Sequence, residues 1–107
     1  MTNYQPTTIC LERERERLNA MLLDEERWIQ FQRDRVAEMN DHARELGRQL
    51  RNATNEELRS HLQTTLYLYN QRLWREQGNL FTLEEEYENV RNNLLHDIWL
   101  LDDLLGN

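Results

Sequence analysis

From Leu11 onward, apolar residues recur at alternating intervals of four and three. The positions are 11, 15, 18, 22, 25, 29, 32, 36, 39, 43, 46, 50 and 53. Ten of these thirteen are apolar, from Leu11 to Ala53, and the interruptions are Arg15, Glu25 and Gln32. A repeat sustained this long predicts a coiled-coil-like seam on one helix, over residues 8–53, rather than an ordinary surface helix. Residues 1–7 read as a short disordered lead, with Pro6 near the helix start, where its missing N–H is tolerated.

The repeat stops around Asn52-Ala53-Thr54-Asn55. Thr54 followed by Glu57 has the spacing of a capping box, in which each side chain satisfies an orphan amide. A second helical segment is therefore expected over residues 55–105. Its seam runs through 62, 66, 69, 73, 76, 80, 83, 87, 90, 94, 97, 101 and 104, interrupted only by Glu76 and Asp97 if tyrosine counts as apolar. Gly78-Asn79 interrupts the propensity, because both residues tolerate the left-handed backbone that ends helices. Thr82 with Glu85 also has capping-box spacing. Leu73, Leu80 and Tyr87 nevertheless stay in phase, so the second helix is expected to be kinked or broken near Gly78.

Two seams joined by a short turn imply an antiparallel hairpin, an all-α fold built as a single helical domain over residues 1–107. With the turn near residue 56, facing residues have numbers that total about 112. That register sets Ala43 against bulky Tyr69, Glu25 against Tyr87, and Arg15 against Asp97. The last pair puts two charged interruptions of opposite sign in one layer, an arrangement better suited to fixing register than to adding stability.

A hairpin cannot cover every apolar side chain. Tyr67, Trp74 and Phe81 are seven apart, on a second stripe of the later helix, and the chosen register brings Phe31 near Phe81 with Trp28 close by. The run from Leu94 to Leu105, including Leu95, Ile98 and Trp99, is apolar around most of its circumference. Burying one large side chain is worth ~1.5–3 kcal/mol, so these groups together predict association. Two hairpins forming a helical-bundle homodimer would cover the stripes. A docking surface for another protein would use the same aromatic anchors.

Composition narrows the partner. Only 3 Gly and 1 Pro occur in 107 residues, and the net charge is −7, concentrated in the second half. Such a surface repels nucleic acid by default. One local exception is Arg44, Arg48 and Arg51, on one helix face, with Arg59 just past the turn; this patch is the basis of an alternative, a nucleic-acid-binding helical dimer. All 13 basic residues are Arg. A chain without lysine offers no side-chain amine for ubiquitination, which would suit a viral accessory protein or a delivered effector. No stretch is long and apolar enough to span a membrane, and the N-terminus has no secretory pattern, so an intracellular (cytoplasmic or nuclear) location is expected.

The chemistry-bearing residues are scattered. His42, His61 and His96 lack both His-x3-His and Glu-x-x-His spacing, Cys10 stands alone, and no Gly-rich phosphate loop is present. Neither catalysis nor a metal or other cofactor is expected. The expected function is that of a non-enzymatic, oligomeric protein–protein interaction module, an adaptor or inhibitor.

Overall fold

The structure is a computed structural model that describes residues 4–106, with side chains from Thr7 onward. Two helices account for almost all of them: α1 over Tyr4–Asn52 and α2 over Glu56–Leu104. Helix α1 starts earlier than expected. Residues 4–7 belong to it rather than to a disordered lead, while residues 1–3 lie outside the described residues. Pro6 falls in the first turn, where the backbone N–H groups have no intrahelical acceptor and a missing one costs little.

The turn is closed by Asn55. Its side-chain Oδ1 accepts from the Leu58 N–H at 3.1 Å, and its carbonyl accepts the first α2 bond, from Arg59, at 2.9 Å. Asn55, rather than Thr54, therefore occupies the N-cap position. Glu56 and Glu57 then fall in the first turn, where their charge favours the helix dipole. At the other end, Gly106 adopts φ +82° and its N–H donates to the Asp103 carbonyl at 3.1 Å. A left-handed glycine here satisfies a terminal carbonyl without a Cβ clash.

Helix α2 runs unbroken through Gly78 and Asn79. Thr82, expected as a possible cap, instead donates its hydroxyl back to the Gly78 carbonyl at 3.3 Å. A helix interior outcompetes the cap because residues on both sides keep a buried face: Leu73 is buried before the glycine, and Leu80 and Leu83 are half-buried after it.

The chain divides into two compact units. One comprises Gln30–Leu83 and contains the turn; the other comprises Met1–Ile29 with Glu84–Asn107.

In the turn unit the helices pack antiparallel around Val36, Met39 and Leu73, with Ala43, Tyr69 and Leu80 against this core. Arg35 bonds Glu76 at 2.8 Å, and the His42 and Tyr69 rings lie 5.0 Å apart, both within a residue of the expected register. The Gln77 amide reaches Asn40 Oδ1 at 3.3 Å. All expected seam positions of α2 from Leu62 to Leu83 are buried or half-buried, Glu76 included. Gln32, the polar interruption of α1, is buried too, and among the described residues no buried side-chain nitrogen or oxygen lacks a hydrogen-bond partner.

The unit of chain ends departs from the expected register. Its α1 seam stands as read: Leu11, Arg15, Leu18, Leu22, Glu25 and Ile29 are all buried or half-buried. On α2, however, Val90, Asp97 and Leu104 point outward, and Leu104 is 68% exposed. Arg91, Ile98 and Leu105 take their places. After Tyr87 the seam thus takes a second consecutive step of four. This is a stutter, which brings the local repeat closer to the natural period of a straight helix. Its benefit is local: Asp97, costly to bury uncharged or unpaired, moves to solvent, and Ile98 replaces it. Arg15 meets Asp102 at 2.9 Å, more than a turn beyond the expected Asp97.

Candidate protein interaction surface

Among the described residues, seven hydrophobic side chains are buried, and only Ile29, at 2% exposure, is fully so; fifteen large hydrophobics are exposed. Two helices explain the imbalance, since each can hide only a narrow stripe from water. The surplus defines the surface.

Its centre is on α2 in the turn unit. Tyr67, Trp74 and Phe81 are all exposed, and Trp74 is the most open of the exposed hydrophobics at 79%. Seven-residue spacing keeps them on one stripe, well away from the seam residues Leu62, Leu73 and Leu80. The stripe has internal order, because the Gln71 amide donates to the Tyr67 hydroxyl at 2.6 Å. Beside Trp74 lies a shallow recess of about 650 Å³, lined by Gln71, Trp74, Arg75, Gln77, Gly78 and Asn79. A Cβ built on Gly78 would meet nothing within 4 Å. No packing inside the chain therefore calls for glycine at this point, although glycine in a helix interior costs about 1 kcal/mol against alanine.

The other anchors expected from the sequence are dispersed. Phe31, on α1 of the turn unit, is exposed. In the unit of chain ends, Trp28, Leu95 and Trp99 are exposed, and Trp99 stacks on His96 with ring centroids 6.2 Å apart. Ile98 belongs to a different class. The stutter turns it toward the seam, where it is half-buried, so it serves the unit's own packing. Leu104 makes the opposite exchange, from expected seam to surface. Sequence reasoning also passed over Leu58 and Leu68, both exposed in the turn unit; neither lies on a heptad stripe that would have singled it out.

The basic patch is locally compensated. Arg48 donates from its Nε to Glu45 Oε2 at 2.9 Å, and its Nη2 bonds the other carboxylate oxygen. The hydrogen bonds from Arg48 and Gln49 hold the Glu45 carboxyl down at about 2. Arg44 lies 3.7 Å from Asp41, with both side chains well exposed. Arg51 reaches back across Gly47, its Nη1 3.9 Å from where a Cβ would stand. Arg44 and Arg51 line a groove of about 480 Å³ with Asn40, Ala43, Gly47, Leu66, Asn70 and Leu73. Arg59 is exposed at the start of α2.

Among the described residues no three His, Cys, Asp or Glu side chains are grouped to hold a metal ion. Cys10 is a free, exposed thiol. No helix among the described residues is long and apolar enough to cross a membrane. Comparison with protein-family models, with curated proteins and with solved structures finds no match in any of the three.

Proposed function

We propose that this chain is a non-enzymatic helical interaction module that assembles with itself and acts by binding another protein, as an adaptor or inhibitor. The observation that carries the reading is the exposed aromatic stripe Tyr67–Trp74–Phe81 on a helix whose opposite face is already used by the hairpin. Aromatic anchors of this kind dominate the energetics of protein interfaces. A second hairpin packed on the stripe gives a helical bundle in which each α2 buries two faces. The Thr82 back-bond to Gly78 supports a gentle bend of α2 at this level. The absence of lysine suits an accessory protein or effector that works inside a host cell and must escape ubiquitination.

Light scattering on the purified chain and on a Trp74→Ser, Phe81→Ser variant tests the self-assembling part. The variant is expected to fall to the mass of one chain while circular dichroism keeps its helical signal. An unchanged mass would show that the stripe is not the interface. For the binding of another protein, the stripe variant should lose partners that the parent chain retains in pull-downs from the native cell. The nucleic-acid alternative gains no support from Arg48, which is already committed to Glu45, and Arg44→Glu with Arg51→Glu should leave the chain's interactions intact.

A further inference from the structure

We propose that the recess at Gly78 is the receptor for Trp74 of a second copy of this chain, so that two α2 helices cross antiparallel, each indole seated over the other's glycine. The inference rests on the reading of the chain as a self-associating module and specifies the geometry of that contact.

Two observations converge on it. First, Gly78 lies in the interior of a continuous helix, yet nothing inside the chain comes near enough to need the missing side chain. A glycine kept in a helix interior without an internal reason suits a close approach from outside. Second, the most exposed large hydrophobic, Trp74, stands one helical turn away on the same stripe and borders the same recess. A bulky group next to a notch is self-complementary only when the partner helix runs in the opposite direction. In a parallel pair, indole would meet indole and notch would meet notch, leaving one layer overfilled and the next empty. A two-fold axis near residue 76 instead exchanges positions 74 and 78, as an isologous contact requires.

The area is adequate as well. Each aromatic side chain offers roughly 150–250 Å². Three mostly exposed rings per copy therefore supply a large share of the roughly 800 Å² per partner that a standard interface buries. The flanking Gln71, Arg75 and Gln77 supply a polar rim.

A residue swap tests the arrangement. Trp74→Gly and Gly78→Trp, made singly, remove the knob or fill the hole; each should weaken the dimer at least tenfold by sedimentation equilibrium. The added indole of Gly78→Trp enters open space in the single chain, so its effect does not depend on unfolding. Made together, the two changes exchange knob and hole and should restore the dimer, because an antiparallel axis near residue 76 maps one position onto the other. Spin labels on Ser60→Cys in a Cys10→Ser background should lie about 50 Å apart between copies, from the 1.5 Å rise per residue; a parallel pair would hold them at about 10–20 Å. A dimer indifferent to both single changes, a swap no better than the singles, or a short label distance would overturn this geometry and leave self-association standing. A parent chain that stays at the mass of one chain at all concentrations would overturn both.

Discussion

The turn unit and the unit of chain ends are built from the same two helices and the same kind of repeat, yet they use it differently. In the turn unit the seam keeps its heptad phase, and Val36, Met39 and Leu73 form a contiguous buried cluster. In the unit of chain ends the α2 seam slips by one position after Tyr87. Among the described residues the buried hydrophobics there, Leu18, Ile29 and Leu94, stand outside that cluster, and the inter-helix ion pair Arg15–Asp102 is partly exposed. A short turn accounts for the contrast. Three residues between helices pin the register of the layers next to them, and a pinned register lets complementary side chains settle into one cluster. Far along the helices the turn no longer constrains the pairing, and local chemistry at Asp97 and Ile98 decides it.

The largest effect expected from this difference is on core truncation. Leu73→Ala should cost about 2–5 kcal/mol, the range for burial-dependent cavities, and native-state hydrogen exchange should show the loss spread over the Val36–Met39 segment. Leu94→Ala should fall at the low end of that range and leave the turn unit's protection intact. Equal losses would mean that the two units share one core.

A smaller effect separates the two ways in which register is held. Asn55→Ala removes the cap and should destabilise the chain by about 1 kcal/mol in urea titrations, whereas Thr54→Ala should be nearly silent. At the other end, a double-mutant cycle on Arg15→Ala and Asp102→Asn should give a coupling of about 0.2–1 kcal/mol, as for exposed pairs. The same cycle with Asp97→Asn should give none. Coupling to Asp97 instead would restore the uniform heptad register and remove the stutter.

The smallest effect is electrostatic. Glu45 of the turn unit, hydrogen-bonded by Arg48 and Gln49, has its carboxyl lowered to about 2. Glu14 of the other unit is lowered by the Arg17 hydrogen bond. A depressed carboxyl contributes stability that is full above its unfolded value near 4.5 and is lost as pH falls through its folded value. Both pairs should therefore weaken only in acid, with little change near neutrality because the carboxyls are ionised there whether folded or unfolded, and the effect is small because both pairs are exposed. Carboxyl titration by NMR should place Glu45 near 2, and Arg48→Ala should return it toward the ordinary carboxylate range. No movement on that substitution would remove the pair from the account.

Much of the fold was legible in the chain. Every seam position read on α1 is buried or half-buried, polar Arg15, Glu25 and Gln32 among them, because a thirteen-position repeat leaves one face to hide. On α2 the reading succeeds to Tyr87 and then fails at Val90, Asp97 and Leu104. The failure has a definite cause. Beyond Tyr87, the phase through Val90, Leu94, Asp97, Leu101 and Leu104 and the phase through Arg91, Leu94, Ile98, Leu101 and Leu105 are almost equally apolar. A hydrophobic count cannot separate them. The same degeneracy misplaced Ile98 on the candidate surface. The cap at the turn was displaced by one residue for a similar reason, since Thr54 and Asn55 both have cap chemistry and only the backbone path chooses between them. The aromatic stripe was visible as a heptad of its own, and Trp74 and Phe81 stand where that spacing puts them, out of the seam.

The sequence by itself determined a helical chain with an apolar seam on each side of one turn, because periodicity and propensity act over neighbouring residues and need no knowledge of the partner. It also determined that too many aromatics exist for one hairpin to bury. Only the tertiary structure decided which α2 phase faces inward beyond Tyr87, that Arg15 meets Asp102, and that Gly78 opens onto empty space beside Trp74. Those outcomes depend on which side chains meet across the helices, and two patterns of equal apolar content become unequal only when the opposing helix is in place.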